Sequence, residues 1–192
     1  MKERGEQNVF YETTVTPFGE LGIVWRSKEN GDSFIVHIFL PLENVSILSP
    51  IQRFFPTARR FCCETIKKIG SQIMNYLQGA PTDFSFGYLD MNYCYKFQKR
   101  VLIANRAIPR GKVCSYGDLA SKVHVSAAAR AVGTALAKNP FPLVIPCHRV
   151  VKSNGRVGGF GGGLKMKRAL LELEGVKFDI HGKVCREYFQ SG

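Results

Sequence analysis

Ser115-Tyr116-Gly117-Asp118-Leu119-Ala120-Ser121-Lys122-Val123-His124-Val125 runs directly into Ser126-Ala127-Ala128-Ala129-Arg130-Ala131-Val132-Gly133-Thr134-Ala135-Leu136-Ala137-Lys138-Asn139-Pro140, and the two helices read there decide the architecture of the second half of the chain. Ser115 and Asp118 have the S-x-x-D spacing of a capping box, in which each side chain satisfies the other's backbone N–H. The helix they open is short, with Leu119, Ala120 and Val123 facing inward. His124-Val125 makes a brief connection, and Ser126 is placed to cap a second helix that runs through Val132 and Leu136 to Lys138. Asn139-Pro140 ends it, because the residue before a proline is pushed out of the helical region. Two short helices joined by a tight turn are the pattern of a helix-turn-helix. The second helix is thin: Ala127, Ala128, Ala129, Ala131, Gly133, Ala135 and Ala137 are small, and Arg130 is its one long side chain before Lys138. A thin helix approaches another surface closely; the competing reading is a packed core helix with one solvated arginine.

Upstream, Phe97 to Ile108 carries Phe97, Val101, Leu102 and Ala104 on one helical face, and Pro109-Arg110-Gly111 breaks it. The first half reads differently. Leu21–Trp25 and Phe34–Leu40 are rich in β-branched and aromatic residues with Asn30-Gly31-Asp32 between them, which predicts a hairpin. Residues 57–78 carry Phe61, Ile66, Ile69, Ile73 and Tyr76 at helical spacing, Gly79-Ala80-Pro81 closes the helix, and Phe84-Ser85-Phe86 reads as a further short strand. His37, inside an apolar strand, reads as structural. The prediction is an α+β protein with a small N-terminal antiparallel sheet and helix over 1–94 and a mainly helical domain over 95–192.

Charge divides the same way. Residues 1–94 hold 9 Lys and Arg against 10 Asp and Glu, and residues 95–192 hold 18 against 5, so the whole positive excess lies in the second half. Such a domain attracts a polyanion, of which nucleic acid is the commonest inside cells; the competing reading is a solvated basic surface that aids solubility. No stretch approaches the roughly 20 apolar residues that span a bilayer, and Met1–Gln7 lacks the apolar core of a signal peptide. An intracellular protein without a membrane partner is expected. The six cysteines form no C-x-x-C pair and no metal-ligand spacing, so no metal is predicted.

One cysteine asks for chemistry. Leu143-Val144-Ile145-Pro146-Cys147-His148-Arg149-Val150-Val151 sets a polar triplet in an apolar run, and buried polar groups need partners. A cation beside a cysteine favours the thiolate, which is the nucleophile, and a base held by a third group completes the recipe. In a strand, however, neighbours point to opposite faces, so His148 would reach Cys147 through water or a non-strand backbone. The competing reading is a core cysteine beside a satisfied histidine. Downstream, Gly155 to Gly163 holds six glycines in nine residues, a loop that lets backbone approach a ligand, with Phe160 available for stacking. No Lys-Ser/Thr pair follows, which excludes a nucleotide P-loop. A helix from about Leu164 to Glu174 closes at Gly175, and Glu174 sits in a last turn that disfavours a carboxylate; either it has a partner or it is one of the exposed acids common in last turns.

Taken together, Ser115-Tyr116, Arg130-Ala131-Val132-Gly133, Asn139-Pro140, Ile145 to Val151, Gly158 to Gly163 and Glu174-Gly175 resemble, in order and spacing, the O6-alkylguanine-DNA alkyltransferase family. The resemblance covers 95–176 closely. It implies a ribonuclease-H-like N-terminal domain and a winged helix-turn-helix-like C-terminal domain that carries the active site. It implies single-turnover transfer of an alkyl group from O6-alkylguanine in double-stranded DNA, and from O4-alkylthymine as a further candidate, to Cys147. His148 would act as a water-mediated base held by Glu174, Tyr116 would donate to the departing guanine, and Asn139 would brace the turn before the active-site segment. Arg130 would fill the gap left by a flipped nucleotide, with Ser126, Ala127, Ala128, Ala129, Ala131, Gly133, Thr134 and Tyr116 against the DNA. Pro142, Pro146, Arg149, Val150, Gly158, Phe160, Gly161 and Gly162 would surround the base. No cofactor is implied, and a monomer is expected, cytoplasmic in a prokaryote or nuclear in a eukaryote.

The chain departs from the family pattern at three places. Phe160 stands where many relatives carry tyrosine, Gly161 stands where serine is frequent, and the zinc ligands of some animal relatives have no counterpart. The two loop changes point to a looser lid and a broader range of alkyl groups. Two other classes compete. An alkylation-damage sensor would carry tryptophan at the acceptor position, against which Cys147 stands, and a helix-turn-helix regulator would carry an additional domain. A Cys-His protease is disfavoured, since nothing suggests a peptide groove.

Overall fold

The computed structural model describes residues 8–27, 31–125 and 128–190. The chain divides into two compact units, Met1–Tyr93 and Cys94–Gly192. The first contains β1 (Val9–Thr16), β2 (Gly19–Ser27), β3 (Ser33–Phe39), α1 (Leu48–Phe54), β4 (Arg59–Arg60) and α2 (Glu64–Leu77). The second contains α3 (Lys96–Arg106), β5 (Cys114–Ser115), α4 (Tyr116–Lys122), α5 (Ala129–Ala137), β6 (Val150–Val151) and α6 (Gly163–Leu173). Two small sheets and six α-helices among the described residues make this an α+β protein, as the sequence predicts.

The sheet of the first unit has the order β3-β2-β1-β4, with β1, β2 and β3 antiparallel and β4 parallel to β1. The predicted β2–β3 hairpin is present, although Asn30 of its turn lies outside the described residues. Val24, Val36, Phe39, Ile47 and Ile51 form one cluster on this sheet, and Ile66, Ile69, Ile73 and Tyr76 are the buried stripe of α2. Two expectations are corrected. The helix read over 57–78 starts only at Glu64, because Arg59–Arg60 is extended beside Tyr11 and Phe61 donates its N–H to the Tyr11 carbonyl. Phe61 therefore packs near Phe10 and Trp25 instead of on a helix. Phe84-Ser85-Phe86 is not a strand: the Ser85 hydroxyl accepts from Gly87 N at 3.3 Å and opens a 3-10 turn over Phe86–Tyr88, so Leu89 makes the bridge to Ile35.

In the second unit α3, α4 and α5 pack on one another. The Ser115–Asp118 capping box is formed, with Asp118 N donating to Ser115 Oγ at 3.0 Å. The predicted second helix is present as α5 from Ala129, while its expected cap Ser126, and Ala127, lie outside the described residues. Gln98 closes the other end of α5 by donating to the Ala135 and Lys138 carbonyls. β5 and β6 pair in parallel over Val113, Val151, Leu171, Val176 and Val184, the core beneath α6. No helix among the described residues is long and apolar enough to cross a membrane.

Candidate active site

The apolar run 143–151 is not one strand. Asn139 Oδ1 accepts from Phe141 N at 3.0 Å and its Nδ2 donates to Ile145 O at 3.0 Å, which folds the segment after α5 into a tight turn. Leu143 takes a φ of 72° within it, a left-handed conformation that costs a non-glycine residue and persists where surroundings enforce it. Asn105, fully buried on α3, donates to Pro146 O at 3.2 Å. The chain then turns through a 3-10 segment, Cys147–Arg149, before entering β6. This is the non-strand backbone that frees Cys147 and His148 from opposite-face alternation.

Cys147 is 9% exposed and lines a cavity of about 410 Å³ together with Tyr116, Gly133, Leu136, Ala137, Gly159, Phe160 and Gly161. Mainly apolar walls and few polar groups, at a size suited to a small flat ligand, are what recognition sites usually share. Burial pushes the Cys147 thiol up, and a hydrogen bond with Asn139 and the charge on Lys167 offset only part of that rise. Burial also raises the Tyr116 phenol, and the neighbouring Cys147 adds to it, so Tyr116 stays a neutral donor.

Behind the cavity lies a buried relay. His148 is fully buried, and its Nε2 is 3.1 Å from Glu174 Oε1. Arg149 forks onto the same carboxylate, with Nε 2.9 Å from Oε2 and Nη2 2.7 Å from Oε1, and its Nη1 donates to Ile108 O at 2.6 Å. Burial alone would raise Glu174, but bonds from His148 and Arg149 hold it far below the usual carboxylate range. Burial lowers His148, and Glu174 only partly offsets it, so the imidazole is neutral near pH 7 and available as a base. Arg110 braces the end of α6 by donating to Leu173 O at 3.0 Å. That seat explains a carboxylate in a last turn: its partners outweigh the helix dipole.

The structure brings Cys147, His148, Glu174, Tyr116 and Asn139 into one neighbourhood. Of the expected base-surrounding residues, only Phe160 and Gly161 line the cavity. Arg149 turns away to Glu174, Val150 is buried in β6, and Pro142, Pro146, Gly158 and Gly162 are not in the lining. Gly158 still matters, because a Cβ there would lie 3.0 Å from the Tyr116 hydroxyl. On α5, Arg130, Ala131 and Thr134 are exposed while Val132, Ala135 and Leu136 are buried. Sequence reasoning missed Asn105, Leu136, Ala137, Gly159 and Lys167. Lys167 carried a readable signal: it lies on the i, i+3, i+4, i+7 stripe with Leu170, Leu171 and Glu174, where a cation is out of place. Among the described residues no group of three or more His, Cys, Asp or Glu is arranged to hold a metal ion.

Residues 96–176 match the family model for the DNA-binding domain of 6-O-methylguanine DNA methyltransferase. A methylated-DNA–protein-cysteine methyltransferase of Methanothermobacter thermautotrophicus is 40% identical over 163 residues, 85% of this chain and 84% of that protein. The protein of the same name from Sulfolobus acidocaldarius is 44% identical over 105 residues, 55% of this chain and 64% of that one. The crystal structure of Mycobacterium tuberculosis O6-methylguanine methyltransferase superposes with a TM-score of 0.71 at 33% identity, covering 86% of this chain and 92% of that one. A crystal structure of Mycobacterium tuberculosis OGT in complex with DNA gives a TM-score of 0.70 at 33% identity over the same shares.

Proposed function

Because the chain belongs to the methylated-DNA–protein-cysteine methyltransferase family, we propose that it repairs double-stranded DNA by moving the alkyl group of O6-alkylguanine onto Cys147. The observation that carries this reading is a buried cysteine at the wall of a base-sized cavity with the His148–Glu174 pair behind it. His148 accepts the thiol proton through a water. The Cys147 thiolate attacks the alkyl carbon, a C–S bond forms, the C–O6 bond breaks, and its electron pair stays on the guanine. Tyr116 donates a proton to the departing base, and the phenol is restored from solvent. A thioether is not readily hydrolysed, so each chain reacts once.

A base inside a duplex is out of reach, and flipping it costs a few kcal/mol. The exposed face of α5 suits the minor groove: Ala131 and Thr134 are small, and Arg130 is long enough to occupy the vacated stack. Ala128, Ala129 and Gly133 extend that surface, and the expected DNA contacts Ser126 and Ala127 lie outside the described residues. Minor-groove contact carries little sequence information, as repair at any site requires. Asn139 holds the turn between this helix and Cys147. We read the first unit as ribonuclease-H-like and the second as winged helix-turn-helix-like. The expected state is a monomer in the compartment that holds the DNA.

The test is intact mass after incubation with a duplex containing one O6-methylguanine, followed by peptide mapping. One methyl on Cys147, capped at one equivalent and absent from Cys147→Ala, is the expected result. Tight lesion-selective binding without mass gain would make the chain a damage sensor and overturn the transfer reading.

A further inference from the structure

Lys167 has no part in the reaction as described, yet it is the one lysine of α6 that solvent does not touch, at 0% exposure. Its Nζ donates to Val150 O at 2.6 Å and to Gly159 O at 3.2 Å, and it lies 5.8 Å from the centre of the Tyr116 ring. One side chain thus joins β6, which follows the nucleophile, to the glycine-rich loop that walls the cavity. An uncompensated ammonium is costly to bury. Two carbonyl dipoles and an aromatic face cover part of that cost, and none of the three carries a negative charge. The Glu174 carboxylate is already committed to Arg149 and His148.

We propose that Lys167 is a positioning residue for alkyl transfer whose ammonium is the counter-charge of the Cys147 thiolate and whose two carbonyl bonds hold the loop wall in register with it. This rests on the reading of Cys147 as acceptor. The groups facing Cys147 are Tyr116 from α4, Asn139 from the turn after α5, the His148–Arg149–Glu174 cluster and Lys167 from α6. Tyr116 and Asn139 are neutral, and Arg149 is offset by Glu174. Lys167 therefore supplies the net positive charge at the nucleophile. Burial lowers its own pKa to about 8, and the charge of Cys147 works in the opposite direction, which is the mutual dependence of an ion pair. The same charge also disfavours protonated His148, keeping the base neutral.

The test separates charge from bonding. Lys167→Gln keeps two amide hydrogens for the carbonyls but removes the charge, whereas Lys167→Arg keeps the charge. The pH dependence of Cys147 alkylation by iodoacetamide, read by peptide mapping without DNA, is compared with the rate of methyl uptake from the O6-methylguanine duplex. In Lys167→Gln the thiol midpoint moves up by about one pH unit or more, and transfer at pH 7.5 falls about tenfold or more. Lys167→Arg stays within about threefold of wild type. A folded Lys167→Gln whose midpoint coincides with wild type would overturn the proposal.

Should the variants not fold, the wild type still decides. Lys167 Nζ is followed by NMR before and after alkylation of Cys147, and its pKa is expected to fall once the thiolate partner becomes a neutral thioether. An unchanged value overturns the proposal. Failure of the transfer reading looks different: wild type takes up no methyl from DNA, while the iodoacetamide profiles still report on Lys167.

Discussion

Glu174 shows how one residue can organise a site from the wrong end of a helix. Its side chain is fully buried and its two oxygens take bonds from His148 and from both sides of the Arg149 fork. Removing one member of a buried pair leaves the other charge unpaired, which typically costs 3–5 kcal/mol. Glu174→Gln keeps an oxygen for His148 but leaves Arg149 without an anion, so thermal unfolding at pH 7.5 is expected to report a loss of about 3 kcal/mol. Transfer falls further, by about a hundredfold or more, because the neutral amide no longer stabilises the imidazolium formed when His148 takes a proton. A variant as stable as wild type would mean that the fork is not an energetic ion pair. His148 was legible as a polar residue in an apolar run. Its orientation relative to the thiol was not, because the 3-10 turn at Cys147–Arg149 depends on bonds from Asn139 and Asn105, outside the turn itself.

At the scale of elements, the parts governed by local chemistry were readable and those governed by pairing were not. The capping box before α4, the proline stop after α5 and the glycine after α6 are each decided within a few residues. β4 is two residues long and extended only because β1 lies beside it, so the helical spacing of 57–78 misplaced the start of α2. The glycine-rich loop was recognised as a close-approach element, but its glycines are not equivalent. Gly158 has a φ of +72°, and a Cβ there would sit 3.0 Å from the Tyr116 hydroxyl and 3.2 Å from its ring, whereas a Cβ on Gly161 meets nothing within 4 Å. Left-handed backbone alone costs a non-glycine residue about 1–2 kcal/mol. Gly158→Ala is therefore expected to lose about 2 kcal/mol and to slow transfer at least tenfold by displacing Tyr116. Gly161→Ala should stay within about twofold of wild type. Equal effects in the two variants, measured by denaturant unfolding and transfer rate, would show that Tyr116 does not depend on the loop.

Across the whole molecule, the charge asymmetry overstates what DNA can meet. Several cations of the second unit bond within it, although Arg100, Lys112, Lys122 and Arg168 stay exposed. Arg100, Arg110 and Lys112 donate to the carbonyls of Val123, Leu173 and Glu187, and Lys122 donates to the Gln190 side chain. Arg149 and Arg168 pair with Glu174 and Glu172, and Lys167 is buried. Apart from the i, i+4 pair Arg168–Glu172, sequence counting does not see these bonds, because the acceptors lie far along the chain. If every excess charge of residues 95–192 neutralised a phosphate, the slope of log affinity against log salt would approach about −12, at roughly 0.9 per contact. That excess already subtracts Glu172 and Glu174, so it is reduced chiefly by the buried Lys167 and the half-buried Arg110, and the slope for a lesion-bearing duplex is expected to be shallower than about −10. Arg130 then separates two kinds of contact. Inserted in the base stack, its loss in Arg130→Ala weakens lesion binding at least tenfold while changing the slope by less than about 0.5. Lying on a phosphate, it would take close to a full unit of slope with it, and salt titrations of both proteins on the same duplex decide between the two.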